Sequence, residues 1–460
     1  MKPAWRMDDV ARLCGGQVMS GDPKTELGPI VFDSRAVEPG VTFLALKGHR
    51  QDGHDFVSEA VARGASAVIV SRECPLPSWP GVCVRVSDSL SALQALGAAH
   101  RDRLGLRVIG VTGSNGKTTT KEMVSHVLTR AGNSVFSSKG NLNSQLGLPL
   151  MLLEMDDSHE YGVLEMGASQ RGEIARLASL AKPQVGVITN AGLAHLEFFG
   201  SAEGVAEAKW ELAAALPATG AAVINADDPA LAARARGLKC SVIRYGTAAG
   251  ADVRAENIRP GPETVFDLTV GFFRQEVRLS TPGRFNVYNA LAAVAVGMWE
   301  KVDMKTLVRA LETFSPPPSR MEVRTRRDGA VFVLDAYNAN PSSMKASLES
   351  FVSAYPSRRK IAVLGGMKEL GAFMEKEHEA LGALLAALSL DEVFFLGEEA
   401  DWVRRGFERG KGAAAFRGFG NKEALHAGLR GRLSGGTAVL FKASRSVALE
   451  NIYGPLLTEK

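Results

Sequence analysis

The chain has few cysteines, no long hydrophobic run and no basic segment. Its 460 residues include four cysteines, Cys14, Cys74, Cys83 and Cys240, whose spacing does not fit a metal site. We expect buried or incidental thiols in a reducing compartment. No apolar run has the length of a membrane span, and the first residues lack the apolar segment of a signal peptide. These absences predict a cytoplasmic protein that does not associate with membranes.

The two charge signs are nearly balanced. The chain has 54 Lys and Arg against 50 Asp and Glu, a net charge of +4. Nucleic acid is therefore not expected as the main partner. Apolar residues make up 45% and charged residues 23% of the chain, as in ordinary globular proteins, and the length predicts roughly three domains.

The most informative stretch is RVIGVTGSNGKTTTKEM, residues 107–123. Its apolar start predicts a buried strand, and the residues after Lys117 have helical periodicity. A strand, a glycine-rich loop, a lysine, a hydroxyl and a helix follow in the order that binds a polyphosphate. The common phosphate-loop pattern has glycine where Val111 stands. We predict an ATP site of an unusual type; a glycine-rich turn with a surface lysine is the alternative.

Patterning divides the chain into three α/β domains. Residues 1–103 predict a small α/β domain in which an E-P-G turn lies between the strands IVFD and VTFLAL. Residues 104–314 alternate strand and helix, which predicts a largely parallel, phosphate-loop ATPase-like sheet, with one antiparallel hairpin. The prolines of SPPPSR, residues 315–320, indicate a linker. Residues 315–460 have a Rossmann-like pattern without G-x-G-x-x-G.

Several polar residues follow predicted strands, where an open parallel sheet binds its ligands. Glu165 and His195 follow central strands, and Asp335 and Lys442 follow strands of the third domain. Glu165 is a plausible magnesium ligand beside Thr118, with a solvated carboxylate as the alternative. From the residues alone, we expect His195 to be a hydrogen-bonded loop residue and not a metal ligand.

Two further groups have ordinary roles on spacing alone. Lys209 lies in an alanine-rich helical pattern, where a solvated lysine is expected. Ser34, Arg35 and Lys47 are loop residues beside short strands, with a pocket for an anionic or sugar-bearing ligand as the alternative. The residues by themselves therefore predict a three-domain ATP-using enzyme whose reaction is open.

The motifs taken together resemble the Mur ligase family of peptidoglycan synthesis. They are TGSNGKTTTKEM, GNLNSQLGLPL, EMGASQRGEI, HLEFFGS, INADDP, LDAYNANPSSMKAS and VLFKASRS, in that order over essentially the whole chain. Two of these motifs, DAYNANPSSM and EMGAS, resemble those of the family members that add D-alanyl-D-alanine to UDP-N-acetylmuramoyl-tripeptide. The resemblance implies ATP-dependent amide ligation through an acyl phosphate, with the first domain binding the UDP-sugar. The expected partners are these two small substrates, and a monomer is the expected state.

The resemblance also implies roles for individual residues. The expected catalytic residues are Lys117, Glu165, His195 and Lys209. Two magnesium ions would be held by Thr118, Glu165, His195 and Lys209, the last as a carbamate. The family usually has A-K-G-E where this chain has Ala208-Lys209-Trp210-Glu211.

The remaining implied residues bind nucleotide or substrates. For ATP they are Gly113, Ser114, Asn115, Gly116, Lys117, Thr118, Thr119, Asn286, Asn289, Arg320 and Asp335, with Phe285 where histidine is frequent. For the substrates they are Ser34, Arg35, Lys47, Asn141, Asn143, Tyr337, Asn338, Asn340, Lys442, Ser444 and Arg445.

Three alternatives stay open at this point. A sister ligase, including a folylpolyglutamate synthetase, would use another amine, and YNANP argues against it. A nucleotide-dependent switch or motor would hydrolyse ATP without ligation. A non-catalytic homologue is disfavoured by the intact Lys117, Thr118, Glu165, His195 and Lys209. The linker also suggests that the third domain closes over the site when substrates bind.

Overall fold

The computed structural model describes residues 5–48, 51–192 and 199–458. The chain forms two compact units. The first unit comprises Met1–Ile109, Ser134–Met166 and Ala175–Pro183, and the second comprises Gly110–Asn133, Gly167–Ile174 and Gln184–Lys460. All four cysteines are free thiols. None of the helices in the described ranges combines the length and hydrophobicity that a membrane crossing needs.

A five-stranded sheet forms the beginning of the first unit. Its order is β1-β5-β4-β3-β2, and only β1 is antiparallel to its neighbour. The strands are β1 (Gln17–Ser20), β2 (Ile30–Val31), β3 (Thr42–Leu44), β4 (Ala67–Val70) and β5 (Val82–Arg85). The helices are α1 (Met7–Leu13), α2 (Val57–Ala62) and α3 (Ser89–Arg103). Because β2 and β3 are parallel, the predicted E-P-G turn belongs to a crossover and does not form a hairpin.

Strand β6 (Arg107–Thr112) begins in the first unit and ends in the second, where helix α4 (Lys117–Arg130) follows it. Within the first unit β6 lies next to β8, which is parallel to β7. These elements are β7 (Val135–Ser137), α5 (Gly147–Glu154) and β8 (Tyr161–Glu165). Helix α6 (Glu173–Ala181) follows. The first unit therefore carries the strand end at which Glu165 lies.

In the second unit, β6 begins a run of strands in the order β6-β9-β10-β11-β12-β13-β14. Strands β9 to β12 are parallel, and β12, β13 and β14 are antiparallel. The strands are β9 (Val185–Ile188), β10 (Ala221–Asn225), β11 (Ser241–Gly246), β12 (Val253–Arg259), β13 (Thr264–Val270) and β14 (Phe273–Leu279). The helices are α7 (Ala202–Ala214), α8 (Pro229–Arg234), α9 (Arg284–Trp299) and α10 (Met304–Glu312).

The second unit also contains a six-stranded sheet of order β15-β16-β20-β17-β18-β19, in which only β15 is antiparallel. The strands are β15 (Glu322–Thr325), β16 (Val331–Leu334), β17 (Arg359–Gly365), β18 (Glu392–Leu396), β19 (Ala415–Phe419) and β20 (Thr437–Lys442). The helices are α11 (Pro341–Ala354), α12 (Met374–Ala387), α13 (Ala400–Arg409), α14 (Lys422–Arg430) and α15 (Glu450–Thr458).

Two apolar clusters cover the two faces of this last sheet. Val333 and Leu364 belong to one cluster, while Phe332 and Val363 belong to the other. Adjacent strand residues point to opposite faces, so strands that are covered on both faces have continuous apolar sequences. This explains why VFVL and IAVL are apolar at every position. Residues 315–320 form neither helix nor strand, as the prolines predict.

Candidate active site

Two positions of the loop between β6 and α4 strongly favour glycine. Gly113 has φ 144° and Gly116 has φ 80°, backbone conformations that residues with a Cβ rarely adopt. A Cβ on Gly113 would overlap Thr189 Oγ1, and one on Gly116 would lie 2.5 Å from Asn289 Oδ1. The two glycines therefore keep open a loop whose backbone can approach an anion closely.

The end of β9 holds this loop in place. The Asn115 N–H donates to Asn190 Oδ1 at 3.1 Å, while Thr189 Oγ1 donates to the Asn115 carbonyl at 2.6 Å. Ser114 Oγ donates to the Gly192 carbonyl at 2.6 Å. Thr189 and Asn190 directly follow the apolar VGVI strand, a position at which an open parallel sheet binds its ligands, but the sequence alone assigned neither residue a role in the site.

Lys117 and Thr118 begin α4, where helix amides and the helix dipole favour an anion. Lys117 Nζ lies 2.9 Å from the Gly113 carbonyl, so its ammonium is over the loop. Thr118 Oγ1 accepts a hydrogen bond from Arg320 Nη2 at 3.1 Å. The arrangement can bind a polyphosphate, and it brings the predicted residues Gly113, Lys117, Thr118 and Arg320 together.

On α9, Asn286 and Asn289 form a chain of hydrogen bonds that ends at the start of α4. Thr120 Oγ1 donates to Asn289 Oδ1 at 3.0 Å, and Asn289 Nδ2 donates to Asn286 Oδ1 at 3.1 Å. Asn286 Nδ2 in turn donates to the Pro282 carbonyl at 2.9 Å. Both asparagines are buried, as is Thr119. Their amides fix the start of α4, and contact with adenine stays a prediction.

The start of α11 contacts the phosphate loop. Asn340 caps α11 by accepting from the Ser343 N–H at 2.8 Å. Its Nδ2 donates to Asn115 Oδ1 at 2.8 Å, and Asn115 Nδ2 donates to Ser342 Oγ at 2.8 Å. The YNANP segment and the phosphate loop are thus joined by two side-chain hydrogen bonds. Ser342 was missed by sequence reasoning.

Tyr337 and Phe285 have different surroundings. The Arg320 guanidinium stacks on the Tyr337 ring, 4.0 Å from its centroid, within cation–π distance. Phe285, the residue that stands where the family often has histidine, packs against the apolar cluster on one face of the last sheet.

Asp335 and Lys442 form a buried ion pair at the ends of β16 and β20. Lys442 Nζ lies 2.6 Å from Asp335 Oδ2, which also accepts from Ser347 Oγ at 2.6 Å. Lys442 Nζ donates further to the Asn338 carbonyl at 3.3 Å. Both residues were predicted at the carboxyl ends of strands, and the structure places them at the same edge of the sheet. The structure pairs them with each other, and their contacts with nucleotide or substrate stay predictions.

Ser444 and Arg445 follow β20 and line a cavity together with Lys368. Ser444 Oγ accepts from the Lys368 N–H at 3.0 Å, and Arg445 Nη1 donates to Glu450 Oε1 at 2.6 Å. Lys368 was not among the predicted site residues, although it follows the predicted strand KIAVLGG.

Lys209 is buried on α7, so it is not a solvated helix lysine. Its Nζ lies 3.5 Å from the Ala168 carbonyl and 5.2 Å from the centroid of the Phe199 ring. Burial, together with the positive charge of Lys117, lowers the pKa of Lys209 to about 7. Trp210 packs against a separate apolar cluster. His195, predicted as its partner, lies outside the described residues.

The first unit places Glu165 and Asn143 in contact. Glu165 is buried at the end of β8, and its Oε1 accepts from Asn143 Nδ2 at 2.7 Å. The Glu165 N–H donates to Ser138 Oγ at 3.0 Å. The Asn141 carbonyl accepts from the Asn143 N–H at 2.8 Å, in a turn that precedes α5. The GNLN motif therefore fixes the position of the Glu165 carboxylate.

Ser34, Arg35 and Lys47 lie beyond the same ends of the parallel strands β2 and β3. Ser34 Oγ donates to Glu59 Oε2 at 3.2 Å, and Arg35 pairs with Asp33 at 2.7 Å. Lys47 is exposed and forms an isolated backbone bridge with Asp52. Their shared edge suits a ligand site, and their role in binding the UDP-sugar stays a prediction.

No three His, Cys, Asp or Glu side chains are grouped as metal ligands in the part of the chain that the structure describes. The predicted magnesium ligands therefore stay predictions. The phosphate loop, the parallel sheets and the polar strand ends together define a nucleotide-binding α/β enzyme.

Family models match most of the chain. The Mur ligase family catalytic domain matches residues 29–101, the Mur ligase middle domain residues 111–297, and the Mur ligase glutamate ligase domain residues 319–445. The UDP-N-acetylmuramoyl-tripeptide--D-alanyl-D-alanine ligase of Bacillus subtilis is 36% identical over 94% of each chain. The protein of that name from Mycobacterium tuberculosis is 39% identical over 84% of this chain and 82% of its own.

Solved structures give the same result. A crystal structure of MurF from Acinetobacter baumannii is 33% identical and covers 99% of both chains, with a TM-score of 0.90. MurF ligase from Thermotoga maritima in complex with ADP is 33% identical and covers 93% of this chain and 96% of its own, with a TM-score of 0.83. The chain belongs to the Mur ligase family. The predicted three-domain α/β fold is confirmed; the boundaries at 103/104 and 314/315 stay predictions.

Proposed function

We propose that this chain is an ATP-dependent ligase that joins D-alanyl-D-alanine to UDP-N-acetylmuramoyl-tripeptide in peptidoglycan precursor synthesis. The observation that carries the proposal is the contact between the phosphate loop and the YNANP segment through Asn115 and Asn340. In this contact, the motif that points to D-alanyl-D-alanine addition lies beside the loop that suits ATP. The relatives bearing this activity in their names cover most of the chain.

The reaction would proceed in two displacements. The carboxylate of the tripeptide attacks the γ-phosphorus of ATP, so that an acyl phosphate forms and ADP leaves. The amine of D-alanyl-D-alanine then attacks the acyl carbon, loses a proton and releases phosphate. The loop amides and Lys117 neutralise phosphate charge as the two anions meet, which is the main demand of such a step.

Lys209 is well suited to become a carbamate. Only the neutral amine attacks CO2, and a pKa of about 7 leaves a substantial neutral fraction near neutrality. The product is a carboxylate, whose oxygens are the ligands that magnesium prefers. We propose that the carbamate and Thr118 each bind magnesium, which would neutralise charge between phosphate and carboxylate. Glu165 and His195 stay predicted ligands.

The other predicted residues are assigned by the same proposal. The nucleotide would be bound by Arg320, Asp335, Asn286 and Asn289. Near the nucleotide and the incoming dipeptide would lie Tyr337, Asn338 and Asn340. Where the third domain closes on the site, the substrate contacts would come from Lys442, Ser444 and Arg445. The UDP-substrate would be bound by Ser34, Arg35, Lys47, Asn141 and Asn143. We propose a monomer in the cytoplasm.

The decisive experiment mixes the purified protein with UDP-muramyl tripeptide, D-alanyl-D-alanine, ATP and magnesium, followed by mass spectrometry. Tripeptides ending in diaminopimelate or lysine are both supplied, and single amino acids replace the dipeptide as controls. We expect a pentapeptide product and one ADP per product. ADP release without the dipeptide, or ligation of single amino acids only, would overturn the proposal.

A further inference from the structure

The motif INADDP, residues 224–229, lies where β10 ends and α8 begins. Strand β9 lies between β10 and β6, the strand that leads into the phosphate loop. Because β9 and β10 are parallel, the motif lies at the same edge of the sheet as residues 189–192, which follow β9. In this segment, Thr189 and Asn190 hold the phosphate loop. The motif is therefore one strand away from the loop that suits ATP.

Asn225 of this motif is buried and binds the backbone of the segment after β9. Its Nδ2 donates to the Thr189 carbonyl at 3.0 Å, and the hydroxyl of the buried Tyr245 lies 3.1 Å from the same oxygen. The Thr189 side chain in turn donates to the Asn115 carbonyl and occupies the space where a Cβ on Gly113 would lie. The position of the phosphate loop therefore depends on a residue that Asn225 holds.

Asp228 uses its two carboxylate oxygens on two different elements. Oδ1 accepts from the Ala230 and Leu231 N–H groups at 3.1 and 3.3 Å, which caps α8. Oδ2 accepts from the Ala191 N–H at 2.8 Å. Ala191 directly follows Asn190, whose side chain accepts a hydrogen bond from the phosphate loop. Hydrogen bonds to a carboxylate are stronger than those between neutral groups, so Asp228 holds this segment more firmly than a neutral acceptor would.

We propose that Asn225 and Asp228 are positioning residues for the phosphate loop, which they hold through the backbone of Thr189 and Ala191. This inference rests on the proposed function and deepens it, because it assigns the INADDP motif to ATP binding without contact between the motif and the nucleotide. A loop that is fixed before the nucleotide arrives loses less conformational freedom on binding, so it binds more tightly.

The test compares Asp228→Ser with Asp303→Ser. Serine caps a helix about as well as aspartate, so Asp228→Ser keeps the cap of α8 and loses the oxygen that reaches Ala191. Asp303 is the matched control, because it caps α10 by accepting from the Thr306 N–H at 3.0 Å. In isothermal titration calorimetry, we expect Asp228→Ser to raise the dissociation constant of ADP about 10-fold, the lower end of what a lost hydrogen bond to a charged group costs, since Asn225 still holds the segment. Asp303→Ser should bind ADP like the unmodified chain.

Hydrogen–deuterium exchange of the nucleotide-free protein gives a second readout, which a role limited to α8 would not change. Asp228→Ser should speed exchange in residues 113–117 and 189–192, whereas a damaged cap would speed it only in residues 229–234. In steady-state kinetics, KM for ATP should rise while KM for D-alanyl-D-alanine changes little.

An unchanged dissociation constant of ADP, or faster exchange confined to α8, would overturn the inference. If Asp228→Ser does not fold, Asp228→Asn is used, because one amide oxygen can keep the cap while the NH2 group replaces the oxygen that faces Ala191; the same two measurements then decide. An unmodified chain that binds no ADP would overturn both the inference and the proposed function. Binding of ADP without formation of a pentapeptide would overturn the proposed function alone.

Discussion

Gly113 and Gly116 are constrained by neighbouring side chains as well as by the anion that the loop suits. Thr189 occupies the space where a Cβ on Gly113 would lie, and Asn289 occupies the corresponding space at Gly116. The spacing of the two glycines is therefore determined by the packing of β9 and α9 around the loop. This accounts for Val111, since that buried strand position needs an apolar side chain.

We predict that Gly113→Ala weakens ADP binding at least about 10-fold, because the loop or Thr189 must move and the φ of 144° becomes strained. Isothermal titration calorimetry with ADP measures the effect. Gly132→Ala is the matched control, since Gly132 has φ 94° and its Cβ would meet no atom within 4 Å. It should cost only about 1–2 kcal/mol of stability. Unchanged ADP binding in Gly113→Ala would contradict the prediction.

Lys209 tests the carbamate directly. Lys209→Ala should abolish ligation while the protein stays folded, because both the amine and its carbamate oxygens are lost. Excess bicarbonate should not restore activity. ADP release measures turnover, and carbon-13 NMR with labelled bicarbonate should show a carbamate signal in the unmodified chain and in the control variant but not in Lys209→Ala. Lys239→Ala, an exposed lysine, is the control. Near-normal turnover in Lys209→Ala would show that the carbamate proposal is wrong.

At the scale of elements, the start of α11 has two roles. Asn340 caps the helix, and the same amide contacts the phosphate loop. Helix caps usually stabilise only their own helix, and Asn421 at the start of α14 is such a cap, accepting from the Ala424 N–H at 2.8 Å. Comparing variants of the two asparagines therefore distinguishes the effect of a lost helix cap from the effect of the lost contact with the phosphate loop.

We predict that Asn340→Ala and Asn421→Ala each lower the free energy of unfolding by about 1 kcal/mol. Asn340→Ala should also raise KM for ATP about 2- to 10-fold, since it loses a neutral hydrogen bond to Asn115. Thermal unfolding and steady-state kinetics give the two readouts. An equal KM for ATP in both variants would mean that the contact does not position the loop.

At the scale of the whole molecule, the last sheet is connected to the preceding helix by residues 315–320, which lack regular structure. Between the phosphate loop and the last domain, the bonds of Asn115 with Asn340 and Ser342, and that of Arg320 with Thr118, are polar. The two bonds of Asn115 each contribute about 1 kcal/mol and that of the charged Arg320 about 1.5–3 kcal/mol, so their contact can open and close. Closure upon substrate binding would assemble the site and exclude water.

We predict that the radius of gyration decreases when a non-hydrolysable ATP analogue and UDP-muramyl tripeptide are added together. Small-angle X-ray scattering with and without these ligands measures the change. Lys117→Ala is the control, because it lacks the lysine that would hold the phosphates and should show no decrease. An unchanged radius in the unmodified chain would count against closure.

The amino-acid sequence by itself determined the order of strands and helices, the position of the phosphate loop and the Mur ligase motifs. These signals are local: apolar periodicity, glycines, prolines and polar strand ends lie within short stretches of the chain. The same local rules placed Asp335 and Lys442 at strand ends. They did not distinguish parallel from antiparallel pairing of β2 and β3, because pairing direction depends on the intervening crossover.

Only the tertiary structure decided which side chains act together. Asn115 and Asn340 are 225 residues apart in the chain, and Asp335 and Lys442 are 107 apart. The burial that lowers the pKa of Lys209 likewise comes from packing, since its helical pattern alone predicts a solvated lysine. Contacts between distant segments are determined by how whole elements pack, and that packing is not encoded in any one motif.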